Sequence, residues 1–128
     1  MIYLDTSVLL AYLLAEDRFP PDTFWRNSLV SSRLIEYEVW TRVHARGLFK
    51  SHGEATRSLL SHVAMLELVP PVLARAMEPF PVPMRTLDAL HLASACFLQE
   101  RNPAVKVATY DSHMATAAVA LGLAVVAL

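Results

Sequence analysis

Twice in this chain a short strand-like run ends on an aspartate that opens a helix: the apolar MIYL, without helical period, runs into Asp5-Thr6-Ser7, and VKVATY, with its β-branched alternation, runs into Asp111. A run of that length followed by residues favoured at helix N-termini reads as strand, turn, helix. The same alternation recurs between these two places. Pro20 and Pro21 start a short helix through about Ser28, and SLVSS is a short strand closing in a Ser31–Ser32 cap. A longer helix follows from about Arg33 to Arg46, with Gly47 where it stops. Ser51 opens a helix through GEATRSLLSHVAML that ends in ELVP. Five of the eight prolines fall between Pro70 and Pro83, around a short helical piece, VLARAM, which makes this stretch a stiff connector inside one domain. Thr86 caps a helix to about Arg101, ended by Asn102-Pro103; MATAAVAL forms the last helix, closed by Gly122, and LAVVAL reads as a final buried strand. Strands alternating with helices predict an α/β/α sandwich in a single domain, 1–128, with a central, mostly parallel sheet of about five short strands.

Composition narrows the function classes. With 128 residues, 55% of them hydrophobic, the chain can bury a core without disulfides or structural metal. The mean hydropathy of +0.38 raises the question of a membrane span. Val8–Ala15 and Met114–Leu128 are the longest apolar stretches, and both fall short of the roughly 20 residues a span needs. We therefore expect a soluble, cytoplasmic protein with no membrane partner. The net charge of −1 gives no global attraction to nucleic acid, so any such binding relies on local patches or bound cations. The single cysteine, Cys96, excludes an internal disulfide and reads as a small hydrophobe on a buried helix face. Three glycines leave no room for a glycine-rich phosphate loop, and the five histidines show no paired metal-ligand spacing. His91 alone stands out, one turn after Asp88.

In such a sheet ligands bind beyond the carboxyl ends of the strands. Asp5 and Asp111 fall there, Asp88 lies in the first turn of its helix within TLDALHLASA, and the helix after Ser32 offers Glu36 or Glu38. Singly, each aspartate also reads as a helix cap, a role that stabilises by about 0.5–1 kcal/mol. Together they sit beside strongly apolar segments, where ionised carboxylates need a positive partner. No lysine or arginine adjoins Asp5 or Asp111. Hard oxygen donors of this kind suit Mg²⁺ or Mn²⁺. On the helical wheel Ile35, Val39 and Val43 mark the buried arc, which leaves both Glu36 and Glu38 open.

The order MIYLDTSVLLAYL, SSRLIEYEVWTRV, RTLDALHLASA and ATYDSHMATAAVALGLAVV, spread over the whole chain, resembles the PIN-domain family, and within it the VapC-type toxins of toxin–antitoxin pairs. The resemblance implies an α/β/α fold that gathers acids around Mg²⁺ or Mn²⁺ and hydrolyses RNA. It places those acids at Asp5, Glu38, Asp88 and Asp111 as metal ligands and catalytic groups, with Asp5 and Asp88 central, and makes Ser7 and Thr109 small hydroxyl groups that orient carboxylates. It also implies a VapB-like antitoxin, which would wrap the region of Phe19, Phe24, Trp25 and Trp40 and insert a basic residue into the acidic pocket, and a homodimer. Arg33, Arg42, Arg46, Lys50 and Arg85 are the cations available to flanking phosphates. Three other readings compete: a PIN-like module that has lost activity and serves as a scaffold, a receiver-like phosphoacceptor, and a flap nuclease acting on DNA. The receiver would need an acidic pair at the first strand end, where this chain has Asp5 followed by Thr6, and the flap nuclease would need DNA-binding elements for which the chain is short.

Overall fold

The computed structural model describes all 128 residues. Five strands, β1 (Ile2–Leu4), β2 (Leu29–Ser32), β3 (Val63–Leu66), β4 (Lys106–Ala108) and β5 (Ala124–Val125), form one sheet in the order β3-β2-β1-β4-β5, and every pairing is parallel. Six helices cover it: α1 (Thr6–Leu13), α2 (Leu34–Ala45), α3 (Phe49–Ser61), α4 (Pro70–Ala76), α5 (Thr86–Arg101) and α6 (Ser112–Ala120). A short 3-10 turn spans Asp22–Arg26.

Alternation along β1 divides the core. Ile2 and Leu4 join α1, α2 and α3 through Val8, Leu9, Ile35, Val39 and Leu60, whereas Tyr3 joins α5 and α6 through Leu92, Ala95, Met114 and Ala117. A strand covered on both faces has to be apolar throughout, and all of β1 is buried. α1 is buried on nearly every side, which explains why VLLAYL carries no polar stripe. No helix is long and apolar enough to cross a membrane. Gly47 and Gly122, at φ +67° and +82°, adopt the left-handed turn that ends α2 and α6.

The structure departs from the sequence reading at four places. The helix expected to continue into ELVP stops at Ser61, and Val63–Leu66 instead pairs with all four residues of β2 as strand β3. Short apolar runs do not distinguish helix from strand by periodicity, and the open edge of β2 settles the matter. That same helix begins at Phe49, two residues before Ser51. The last strand comprises only Ala124 and Val125 and lies half-exposed at the sheet edge, not buried. Cys96 is also only half-buried, although its burial still pushes the thiol pKa up.

From β1 the chain steps outward to β2 and β3, and later returns on the other side of β1 to β4 and β5. The order in which strands are added therefore reverses between β1 and β4, and the carboxyl ends of those two parallel strands border a crevice. Asp5 follows β1 and Asp111 opens α6 just beyond β4.

A carboxylate-lined candidate active site

Asp5, Glu38, Asp88 and Asp111, from four separate parts of the chain, line one cavity of about 330 Å³ at this crevice. A neighbouring cavity of about 520 Å³ shares Asp88 and Asp111 and adds Arg85 and His113. An apolar groove shares Thr6, Leu10, Glu38 and Arg42 with the first cavity, and adds Leu34, Tyr37 and Leu87.

Asp5 is buried and does not cap α1: its side chain makes no cap hydrogen bond. Its Oδ2 instead accepts from Ser7 Oγ at 2.6 Å and from Thr109 Oγ1 at 2.8 Å. Each hydroxyl is itself held by the strand-to-helix turn after β4, Ser7 Oγ accepting from the Tyr110 amide and Thr109 Oγ1 from the Asp111 amide, both at 3.0 Å. The two strand ends are thereby stitched together through Asp5.

Asp111 does cap its helix. Its Oδ1 accepts from the amides of His113 at 2.8 Å and Met114 at 3.3 Å. The capping and site readings of this residue use different oxygens, because Oδ2 has no protein donor.

Of the two glutamates on α2, the structure brings Glu38 to the cavity and leaves Glu36 outside it. Glu38 Oε1 accepts from Thr6 Oγ1 at 2.9 Å and lies 2.5 Å from His91 Nε2. Glu36 pairs with Arg33 at 3.0 Å. His91 is fully buried, and its other nitrogen, Nδ1, meets the Tyr3 hydroxyl at 2.7 Å. Burial of the ring opposes its charge, but the Glu38 hydrogen bond and the charges of Glu38, Asp5 and Asp88 outweigh burial and hold its pKa above the ordinary histidine value.

Asp88, in the first turn of α5, accepts no hydrogen bond. Partial burial, then the charges of Asp5 and Asp111, raise its pKa above the ordinary aspartate value, with Glu38 adding to them and His91 opposing. This mutual repulsion is the electrostatic mark of carboxylates sharing one space.

Three of the four acids thus commit one oxygen to protein donors and keep the other free, while Asp88 keeps both. Free carboxylate oxygens on one cavity are the donor set that Mg²⁺ or Mn²⁺ prefers. No three acidic, histidine or cysteine side chains are grouped closely enough to hold an ion between them. A cation here would therefore rest directly on at most two of these carboxylates and on water for the rest of its shell.

Among the cations, Arg33 is neutralised by Glu36 and Glu67 and is therefore removed from the phosphate-binding set. Arg42 lines the first of these cavities and Arg85 the second, and neither takes part in an ion pair. Arg46 and Lys50 are exposed farther along the chain. Of Phe19, Phe24, Trp25 and Trp40, Phe24 is buried and Trp25 and Trp40 pack against the core, which leaves Phe19 as the exposed one of the four. Glu16, a fifth acid on the cavity wall, was not expected from the sequence. It arrives there through Ala15, a non-glycine residue in left-handed backbone at φ +48°, a conformation that nothing in the local sequence announces.

The model of the PIN domain family matches residues 2–120. Ribonuclease VapC46 of Mycobacterium tuberculosis is 36% identical over 129 residues, covering 98% of this chain and 96% of its own length. Ribonuclease VapC35 of the same species is 34% identical over 133 residues, covering 99% and 96%. Ribonuclease VapC47, again from M. tuberculosis, is 32% identical over 121 residues, covering 89% and 87%. Among solved structures, a toxin–antitoxin complex from Klebsiella pneumoniae matches with a TM-score of 0.61 over 88% of each chain, and at 16% identity that likeness is one of fold.

Proposed function

Because the chain belongs to the PIN domain family, on its VapC branch, we propose that it is a Mg²⁺- or Mn²⁺-dependent endoribonuclease acting as the toxin of a toxin–antitoxin pair. The observation that carries this reading is the meeting of Asp5, Glu38, Asp88 and Asp111 on one cavity with free oxygens on each. Asp5 and Asp88 are the residues that would hold the ion, with Glu38 and Asp111 completing its shell directly or through water. When bound, the ion supplies positive charge that lowers the pKa of a nearby water and offsets the negative charge building on the phosphate.

The protein's own contribution is position. Ser7 and Thr109 fix Asp5, the α6 amides fix Asp111, and Thr6 and His91 fix Glu38, so these carboxylates need no rearrangement when substrate arrives. Arg42 and Arg85 are the groups that would hold RNA phosphates on either side of the cut. With a net charge of −1 there is little general attraction to RNA, which favours a substrate recognised by its shape, such as a loop.

For the antitoxin we propose the apolar groove of Leu34, Tyr37 and Leu87 as its seat, since a segment lying there would pass Arg42 and bring a basic side chain to the carboxylates. A second copy of the chain would cover the apolar surface of Leu73 and Met77, the latter 84% exposed.

The test is RNA cleavage by wild type and Asp5→Asn, each with Mg²⁺, Mn²⁺ and chelator, beside growth on expression. Asparagine keeps the size of the side chain and removes its charge. Cleavage and growth arrest in wild type, lost with chelator and in the variant, support the proposal. Two folded proteins that neither cut RNA nor slow growth would instead favour the silent scaffold.

A further inference from the structure

The hydrogen bonds behind Glu38 form a directed chain. Tyr3 is buried on β1 with 1% exposure, and its phenolic oxygen accepts from the backbone amide of Ser32 at 3.2 Å. That acceptance leaves the phenol its own proton to place, and the strongest acceptor beside it is Nδ1 of His91, 2.7 Å away. The Ser31 and Ser94 hydroxyls also lie against the phenol, but they give their protons to the carbonyls of Leu4 and Leu90. On the other side of the ring, Nε2 faces Glu38 Oε1 at 2.5 Å. A carboxylate oxygen can only accept, and an unprotonated Nε2 there would set two lone pairs against each other. In the neutral imidazole both ends therefore require the same arrangement, Ser32 N–H to Tyr3 O, Tyr3 O–H to His91 Nδ1, and His91 Nε2–H to Glu38 Oε1, and the charged ring keeps the last of these bonds while its Nδ1–H turns to the phenol oxygen.

The chain also closes on itself. Ser32 ends β2, its Oγ accepts the Leu34 amide at 3.2 Å where α2 begins, and α2 carries Glu38. The corner that sets the start of α2 and the donor that sets its glutamate thus hang from one tyrosine. Thr6 adds a second donor to the same oxygen, Oε1, at 2.9 Å. With two donors on Oε1, Oε2 is the oxygen of Glu38 that remains for other partners.

We propose that His91 is a positioning residue for Glu38, held by Tyr3 in the form that carries a proton on Nε2, and that the pair determines which glutamate oxygen is free for the cation. The consequence for activity rests on the nuclease reading above, whereas the location of the proton does not. Outer partners of this kind are worth about 10- to 100-fold in metal affinity or activity.

The experiment begins with ¹⁵N-histidine-labelled, metal-free protein, because imidazole nitrogen shifts distinguish protonated from unprotonated nitrogen. A protonated Nε2 on His91 in wild type is the expected result, and an unprotonated Nε2 overturns the proposal whether or not the protein cuts RNA. Tyr3→Phe keeps the packed ring and deletes the hydroxyl. It should leave Nδ1 without a donor and loosen the ring against Glu38, weaken Mn²⁺ binding by about 10- to 100-fold, and lower kcat with KM for RNA unchanged. His91→Gln retains an N–H near the Nε2 position, so it should bind Mn²⁺ more tightly than His91→Leu. Thermal melts identify any variant that has not folded. Unchanged Mn²⁺ affinity in folded Tyr3→Phe, or equal affinities in the Gln and Leu variants, would overturn the positioning role. If wild type shows the expected proton and Mn²⁺ binding but cuts no RNA, the nuclease reading fails and the positioning of Glu38 stands.

Discussion

Asp5 and Asp88 line the same cavity with the same chemical group, yet the fold treats them in opposite ways. Asp5 is buried, bound by two hydroxyls from different turns, and sits where two strand ends meet. Asp88 lies on an open helical turn, accepts no hydrogen bond, and carries a pKa raised by partial burial and by its neighbours' charges. One carboxylate is positioned by the protein before anything binds. The other is left to respond to whatever charge enters the cavity. A site built from both kinds has a rigid half that defines position and a compliant half whose repulsion a bound cation would relieve.

The largest effect should come from removing charge at the rigid half. On the proposed nuclease reading, Asp5→Asn would lose a ligand to a cation worth several kcal/mol to the transition state, so its cleavage rate should fall on the order of 100-fold or more. Single-turnover cleavage at saturating Mn²⁺ measures this, and a loss below about tenfold would show that Asp5 is not central. Thr109→Val should come next. It keeps the shape of the side chain but removes both the donor to Asp5 and the acceptor for the Asp111 amide, a loss expected to cost about 1–3 kcal/mol of stability and about 10- to 100-fold in metal affinity. Denaturant unfolding and Mn²⁺ titration read the two effects separately. If affinity is untouched while stability falls, the hydroxyl serves the fold alone.

The same contrast explains how much could be read in advance. Asp5 and Asp111 were legible because strand ends in a parallel sheet are marked locally, by an apolar run followed by a helix-opening residue. The division of labour on those acids was not legible. Asp5 looked like a cap and is not one, while Asp111 caps α6 with one oxygen and keeps the other free. Glu38 could not be separated from Glu36 by periodicity, because what separates them is a histidine 53 residues away and a threonine 32 residues away. Strand β3 escaped for a related reason: VAML has no marked alternation, and its strand character comes from pairing with β2. Local pattern therefore carried the elements and half of the site, and long-range partners decided the rest.

The smallest effect belongs to the compliant half, where stability and activity should move in opposite directions. A carboxyl whose pKa is higher in the folded state than in the unfolded chain binds its proton more tightly when folded. Metal-free protein should accordingly lose stability as pH rises from the ordinary aspartate range through the raised value of Asp88, and should not regain it above that window. Asp88→Asn removes the ionisation, so with chelator present the variant should melt above wild type at pH 7 and close to it at pH 3. Screening over the half-buried side chain keeps the difference to about a few degrees. Excess Mn²⁺ should reverse the order at pH 7, because wild type then gains from a ligand that the variant has lost. If Asp88→Asn instead melts lower than wild type without metal, the repulsion among these carboxylates is already relieved within the protein, and the contrast with Asp5 disappears.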